Sequence, residues 1–255
     1  MRVDQRGNEI VAFINRQGNA TVEELSRQFC VSEVTIRRDL DRLNAKKIIS
    51  RYHGGARKRT EQDGEQVVTE FQQKSGEMTE EKNRIGLRAC EFVRDFDIVF
   101  MNSGTTVLRF LANLRRQGVT VVTNNMAALE APLVPGVDIM VLGGMYNDRT
   151  RSVGGEITTG ALLNIYSTCT VLGVNALDLE EGMTTSVYQE CATNNAMISH
   201  SKGKVILLAD SSKMGKISSY VSSPLSKINV IITDIGCPEN YILGFRERGI
   251  EVIAV

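Results

Sequence analysis

Apolar side chains recur at helical spacing over residues 4–17, where Ile10, Val11, Phe13 and Ile14 share a face and Gly18 ends the run. Thr21 stands three residues before Glu24. That is the spacing of a capping box, in which each side chain satisfies a free backbone N–H at a helix start, and it predicts a helix over Val22–Phe29 with Val22, Leu25 and Phe29 facing inward. Ser32 is an N-cap for a third helix that is expected to bury Val34, Ile36, Leu40 and Leu43. The stretch Lys47–Tyr52 is short and rich in β-branched residues, and His53-Gly54-Gly55 breaks it. Three short helices followed by a small hairpin predict a winged helix-turn-helix.

The rhythm then changes. From about Arg57 to Met78 the chain is polar and without clear period, the pattern of a linker that is partly helical at most. Beyond it, short apolar runs recur at Asp97–Asn102, Val119–Thr123, Val137–Leu142, Cys169–Val174, Lys204–Asp210, Ile228–Asp234 and Ile250–Val255. Stretches of helical character lie between several of them, at Glu80–Val93, Thr105–Arg116, Tyr188–His200 and Pro238–Arg248. Val- and Ile-rich runs alternating with helices predict βαβ units and a mainly parallel sheet covered on both faces. The expected organisation is a winged helix-turn-helix over 1–57, a linker over 58–78 and an α/β domain over 79–255.

Charge sharpens this division. The formal net charge is zero, yet residues 1–59 hold 13 Lys and Arg against 7 Asp and Glu, and the rest holds 17 against 23. A basic head on an acidic body points to a polyanion partner for the head alone. The five cysteines are scattered, without a CxxC pair, which argues against a disulfide framework or a zinc site. MRVDQRGNEI lacks the apolar core of a signal peptide, and no apolar run is long enough to span a bilayer. The expected setting is therefore cytoplasmic, with reduced thiols and no membrane.

A helix that reads DNA needs small or polar side chains in its first turn and cations soon after. Ser32, Glu33 and Thr35 fill that first turn, with Arg37 and Arg38 following within the next. Arginine pairs bidentately with guanine edges or phosphate oxygens. Thr21, the cap of the preceding helix, and the wing residues Arg51 and His53 complete the candidate DNA contacts, in a wing that also carries Arg57, Lys58 and Arg59.

In the body, Ser103-Gly104-Thr105-Thr106 follows a predicted strand and opens a predicted helix, where free N–H groups and the helix dipole favour an anion. Other polar or glycine-rich turns stand where neighbouring strands end: Thr123-Asn124-Asn125, Gly143-Gly144, and Gly173-Val174-Asn175. In an open parallel sheet these ends gather at one edge, where ligands bind.

The run TVEELSRQFCVSEVTIRRDLDRL followed by ISRYHGGA resembles the N-terminal signature of the DeoR family of bacterial regulators, the glycerol-3-phosphate repressor type, and the likeness extends over the whole chain. The resemblance implies a head that reads double-stranded operator DNA, usually as an oligomer (a homodimer or homotetramer). It also implies a body that shares its fold with ribose phosphate isomerase and glucosamine-phosphate deaminase and senses a phosphorylated sugar. The SGTT loop would hold the phosphate and the polar turns the hydroxyls. Asp210-Ser211-Ser212-Lys213 matches the family's DSSK segment, with Lys213 as a cation near the effector, and Glu190 matches the glutamate in the helix after Gly182-Met183-Thr184-Thr185.

Two positions depart from the family pattern. Ala45-Lys46-Lys47 stands where a glycine commonly ends the recognition helix. Asn194 stands where a lysine commonly follows the glutamate by four residues, which changes the expected attraction for an anion. The expected function is a sequence-specific regulator, a repressor of a carbohydrate-utilisation operon, with no catalytic residue, metal or cofactor. The competing class is a sugar-phosphate isomerase or deaminase with an appended DNA-binding head. A third reading keeps the regulator but leaves its sensor without a ligand, serving oligomerisation.

Overall fold

In the computed structural model, which describes residues 3–46, 48–52, 55–58, 70–132 and 134–255, the capping box at Thr21 is formed. Thr21 Oγ1 accepts from the Glu24 N–H at 3.1 Å, and Glu24 Oε2 accepts from the Thr21 N–H at 2.8 Å. The chain divides into two units, residues 1–68 and 69–255. The smaller contains α1 (Val3–Gln17), β1 (Asn19–Thr21), α2 (Val22–Phe29), α3 (Glu33–Ala45), β2 (Ile49–Tyr52) and β3 (Gly55–Lys58). Cys30 ends α2 in the left-handed conformation at φ 52°, a rare place for a side chain. The turn is fastened locally, because Ser26 Oγ donates to the Val31 carbonyl at 2.6 Å.

Ile10, Ile14, Leu25, Ile36, Leu40, Leu43 and Ile49 form the head's core. Burying each such side chain is worth roughly 1.5–3 kcal/mol. Arg6 on α1 reaches Asp39 on α3 at 2.6 Å, with both side chains largely buried, so a charged pair as well as packing joins these helices. Val34 corrects the expectation for α3: it is 57% exposed, in the outward first turn between Glu33 and Thr35. β1 was not anticipated. It pairs with β3, giving a three-stranded sheet in the order β1-β3-β2. Lys47, His53 and Arg59 lie outside the described residues.

The larger unit runs α4 (Glu70–Gly76), α5 (Thr79–Ala89), β4 (Ile98–Met101), α6 (Thr105–Asn113), β5 (Val119–Thr123), β6 (Val137–Val141), β7 (Met145–Asn147), β8 (Ser152–Gly154) and α7 (Glu156–Leu162). It continues with β9 (Ser167–Gly173), β10 (Ala176–Asp178), β11 (Gly182–Thr185), α8 (Tyr188–Ser199), β12 (Ser201–Leu208), β13 (Tyr220–Ser223), β14 (Val230–Thr233), α9 (Glu239–Glu247) and β15 (Glu251–Ala254). All seven apolar runs become strands of one parallel sheet, ordered β15-β14-β12-β9-β4-β5-β6.

Alternation along the strands splits the core in two. On β4, Val99 and Met101 join Ile85, Val107 and Phe110 from α5 and α6, while Phe100 joins Leu162, Met197 and Phe245 from α7, α8 and α9. The four helical stretches become α5, α6, α8 and α9, each somewhat shorter than read; α6, for example, stops at Asn113 rather than Arg116. The β7–β8 hairpin and the three-stranded β10-β11-β13 sheet were not anticipated. Within the stretch read as linker, residues 70–76 form α4 of the larger unit. Among the described residues no helix is long and apolar enough to cross a membrane.

Candidate functional site

The first candidate surface is the outward side of α3. Ser32 caps the helix, its Oγ accepting from the Thr35 N–H at 3.3 Å and lying 2.9 Å from Thr35 Oγ1. Glu33, Arg37 and Arg38 are exposed, and Arg37 Nη2 is 2.7 Å from Glu33 Oε2. The inward residues Ile36, Asp39 and Leu40 hold the helix against the core, so its polar side is the one presented. Thr21 is engaged as a cap in β1, which gives it a structural task at the start of α2. Arg51 lies on β2, and exposed Arg57 and Lys58 on β3 add positive charge to the wing.

The second candidate site follows from topology. From β4 the chain proceeds to β5 and β6 on one side, then crosses to β9, β12, β14 and β15 on the other. Neighbouring β4 and β9 therefore feed loops that leave in opposite directions. A crevice opens at the carboxyl ends of two such strands. Here Asn102, just past β4, spans it: its Nδ2 donates to the Gly173 carbonyl at 3.0 Å, and its Oδ1 accepts from the Gly173 N–H at 2.8 Å.

The walls of the crevice are polar. Gly104 precedes α6 at φ 155° and ψ 161°, a backbone region essentially reserved for glycine. No side chain caps α6, whose first-turn N–H groups have no intrahelical acceptor, and Ser103, Gly104, Thr105 and Thr106 at its start line the cleft. Glu190 accepts from Ser103 Oγ at 3.3 Å, from Asn175 Nδ2 at 3.1 Å and from Thr185 Oγ1 at 2.6 Å. Three ammonium groups line the same space. Lys74 Nζ donates to Asn175 Oδ1 at 2.8 Å. Lys213 Nζ lies 3.9 Å from Asp210 Oδ2. Lys82 is only 2% exposed and donates to the carbonyls of Lys74 and, at 2.7 Å, Glu77. Burial pulls the Lys82 ammonium below the ordinary lysine range, with the Asp210 carboxylate opposing that shift.

Asn194 sits at the floor in a neutral chain of hydrogen bonds. It accepts from Asn102 Nδ2 at 3.0 Å and donates to Ser222 Oγ at 2.9 Å. A lysine at 194 could not accept from Asn102, so the substitution reshapes the floor as well as removing a charge.

Of the residues expected to bind an effector, Ser103, Gly104, Thr105, Thr106, Gly173, Asn175, Glu190 and Lys213 line this one cleft. The others do not line it. Thr123 Oγ1 accepts from the Asn125 N–H at 3.0 Å, and Asn125 Nδ2 in turn donates to the Gly104 carbonyl at 3.2 Å, holding the loop from the rear. Asn124 Nδ2 donates to the Val153 carbonyl at 2.9 Å. Gly143 accepts from Thr158 Oγ1 at 2.7 Å, and a Cβ on Gly144 would stand 2.2 Å from that same oxygen. Lys74, Lys82, Asn102, Thr185 and Ser222 line the cleft without having been anticipated. Among the described residues, no group of three or more His, Cys, Asp and Glu is placed to hold a metal ion.

The family model for the DeoR-like helix-turn-helix domain matches residues 6–62, and that for the DeoR C-terminal sensor domain matches residues 77–235. The chain is 30% identical to the glycerol-3-phosphate regulon repressor of Escherichia coli (strain K12), over 99% of this chain and 99% of the relative. It is 31% identical to the lactose phosphotransferase system repressor of Streptococcus mutans serotype c, over 92% and 93% of the two chains. Among solved structures, ribose 5-phosphate isomerase from Plasmodium falciparum aligns over 52% of each chain at 14% identity and a TM-score of 0.37, a likeness confined to half of each.

Proposed function

Because the chain belongs to the DeoR family of transcriptional regulators, we propose that it represses a carbohydrate-utilisation operon through α3 under the control of a phosphorylated sugar bound between β4 and β9. One observation carries the effector half of this reading. The uncapped start of α6, a pair of hydroxyls and three lysine side chains converge on one cleft. Helix N-termini and ammonium groups favour an anion. The Glu190 carboxylate is an acceptor for sugar hydroxyls, so the cleft offers complementary groups for both ends of a sugar phosphate.

The head supplies the operator half. α3 presents Glu33, Val34, Arg37 and Arg38 outward, and the wing strand β3 adds two exposed cations. We read the active species as a homodimer or homotetramer, whose heads contact repeated half-sites. We assign no catalysis to the body. His200, the histidine of the larger unit, precedes the first residue of β12, at the amino end of the sheet, whereas the cleft is at the carboxyl ends of β4 and β9.

Selection of duplexes from a random DNA pool by the full chain tests the first half. Enrichment of one motif repeated at a fixed spacing is expected, and its absence both with and without sugar phosphates would remove the regulator assignment. The enriched duplex then serves to titrate sugar phosphates, which are expected to shift its affinity by about 5–150-fold.

A further inference from the structure

The helix α4, first of the larger unit, forms part of the effector cleft. The Phe71 N–H donates to the Arg149 carbonyl at 3.1 Å, and the Arg151 guanidinium lies 5.6 Å from the centre of the Phe71 ring. Lys74 reaches the cleft twice. Its ammonium donates to Asn175 Oδ1 at 2.8 Å, and its carbonyl accepts from Thr105 Oγ1 at 3.4 Å as well as from the buried Lys82 ammonium. Thr105 is the first residue of α6, so the hydroxyl that touches α4 also borders the place offered to an anion.

A hydroxyl has one proton to donate. An anion at the start of α6 competes for the Thr105 hydroxyl proton and for the Lys74 ammonium. It takes the first from the Lys74 carbonyl, which Lys82 continues to hold. It offers the second, which has three protons to donate, a charged acceptor beside the amide oxygen of Asn175. The exchange draws Lys74 onto the ligand.

α4 has only seven residues. Isolated helices shorter than about 12–15 residues are marginal in water, so the seating of α4 depends on contacts such as these. Upstream, only residues 59–69 separate it from β3 of the head.

We infer that α4 is the element through which a filled cleft is reported to the DNA-binding head, with Lys74 as the residue an anionic ligand captures. This rests on the reading of the cleft as an effector site. A ligand shifts an equilibrium only by its differential affinity for two states, and here that difference resides in the Lys74 contact and the Thr105 proton.

Amide hydrogen exchange on the full chain, with glycerol 3-phosphate and inorganic phosphate as separate probes, tests the inference. A bound probe is expected to slow exchange over 103–110 and also over 70–78, the latter by about 5–150-fold. In Lys74→Met the response at 103–110 persists in weakened form while that at 70–78 falls to less than about twofold, and Lys74→Arg restores it. Slowing at 103–110 with unchanged or faster exchange at 70–78 would overturn the inference and leave the effector site standing. An unaltered response at 70–78 in Lys74→Met would also overturn it. No change at 103–110 with either probe would remove the effector site itself, and the inference with it.

Discussion

Arg37 is held along the recognition helix by Glu33, one turn earlier, with Nη2 2.7 Å from Oε2. Both side chains are about half exposed, at 52% and 48%. An exposed pair of this spacing is worth only about 0.3–0.5 kcal/mol, whereas a bidentate arginine–guanine contact discriminates by about 1–3 kcal/mol. The contact with DNA therefore wins the guanidinium. Arg37→Ala is expected to weaken binding to the selected duplex by that larger amount, read by fluorescence anisotropy at moderate salt. Unchanged affinity would take Arg37 out of the readout. A uniform loss over all sequences, with a shallower salt dependence, would make it a phosphate contact.

Gly104→Val places a branched side chain at φ 155°, ψ 161°. Holding such a backbone costs about 1–3 kcal/mol, enough to remodel the loop before α6 without unfolding the domain. The variant should bind the duplex as tightly as the parent and lose its response to sugar phosphate. A preserved response, with a normal melting curve, would misplace the phosphate site.

Asn194→Leu removes the acceptor of one Asn102 proton and the donor to Ser222, both buried. Leaving buried polar groups unsatisfied costs about 1–3 kcal/mol each. Asn102 keeps Gly173, so a loss near the lower end is expected, measured as a fall in the urea midpoint of the transition assigned to the larger unit. No shift would mean that the floor network contributes nothing to stability.

Lys82 gives stability a pH dependence of definite sign. Its pKa in the fold lies below the ordinary 10.5, chiefly because of burial and despite the nearby Asp210 carboxylate. Between the two values the unfolded chain binds more protons at this position, so this contribution raises stability as pH climbs towards 10.5. Urea midpoints collected through that alkaline window should rise less steeply in Lys82→Met. An identical slope would show that the ammonium is as well solvated in the fold as out of it.

The thiols should separate by accessibility. Cys30 is exposed, while burial pushes Cys90 up to about 11 and Cys169 up to about 12, and raises Cys191 and Cys237. Thiolate is the reactive form. Native protein should show one fast thiol per chain towards a disulfide reagent, and all five after denaturation. More than one fast thiol would place a buried cysteine in a unit that opens readily.

How far the sequence reaches depends on what each residue advertises. Thr21 with Glu24, and Ser32, mark helix starts by a chemistry that is local, and both caps are formed. The seven Val- and Ile-rich runs mark strands because the inner ones are buried on both faces and even the edge strands keep an apolar face, and all seven enter the sheet. Ser103 to Thr106 is legible for the same local reason, as a small-residue loop between a strand and a helix. Lys74 and Lys82 carry no such mark. A lysine in a polar stretch or on an amphipathic helix reads as solvated, and only the fold shows Lys82 closed in beneath two carbonyls. Asn124 and Gly143 show a different effect. They stand at strand ends as read, yet β8 and Thr158 of α7, which no local pattern announced, engage Asn124 Nδ2 and the Gly143 carbonyl. Val34 fits the helical period and still faces outward, because a first turn has less of the core to cover.

The wing sheet determines how a pull on the chain would be carried. β3 lies in the middle, between β1 and β2, and the Lys58 N–H is bonded to the Gly18 carbonyl at 2.8 Å. Tension applied along β3 would therefore be resisted by two ladders of hydrogen bonds instead of one. One of those ladders ends at Thr21, the residue that caps α2. The exit of the head is thus tied, across one ladder, to the cap that starts its helix-turn-helix.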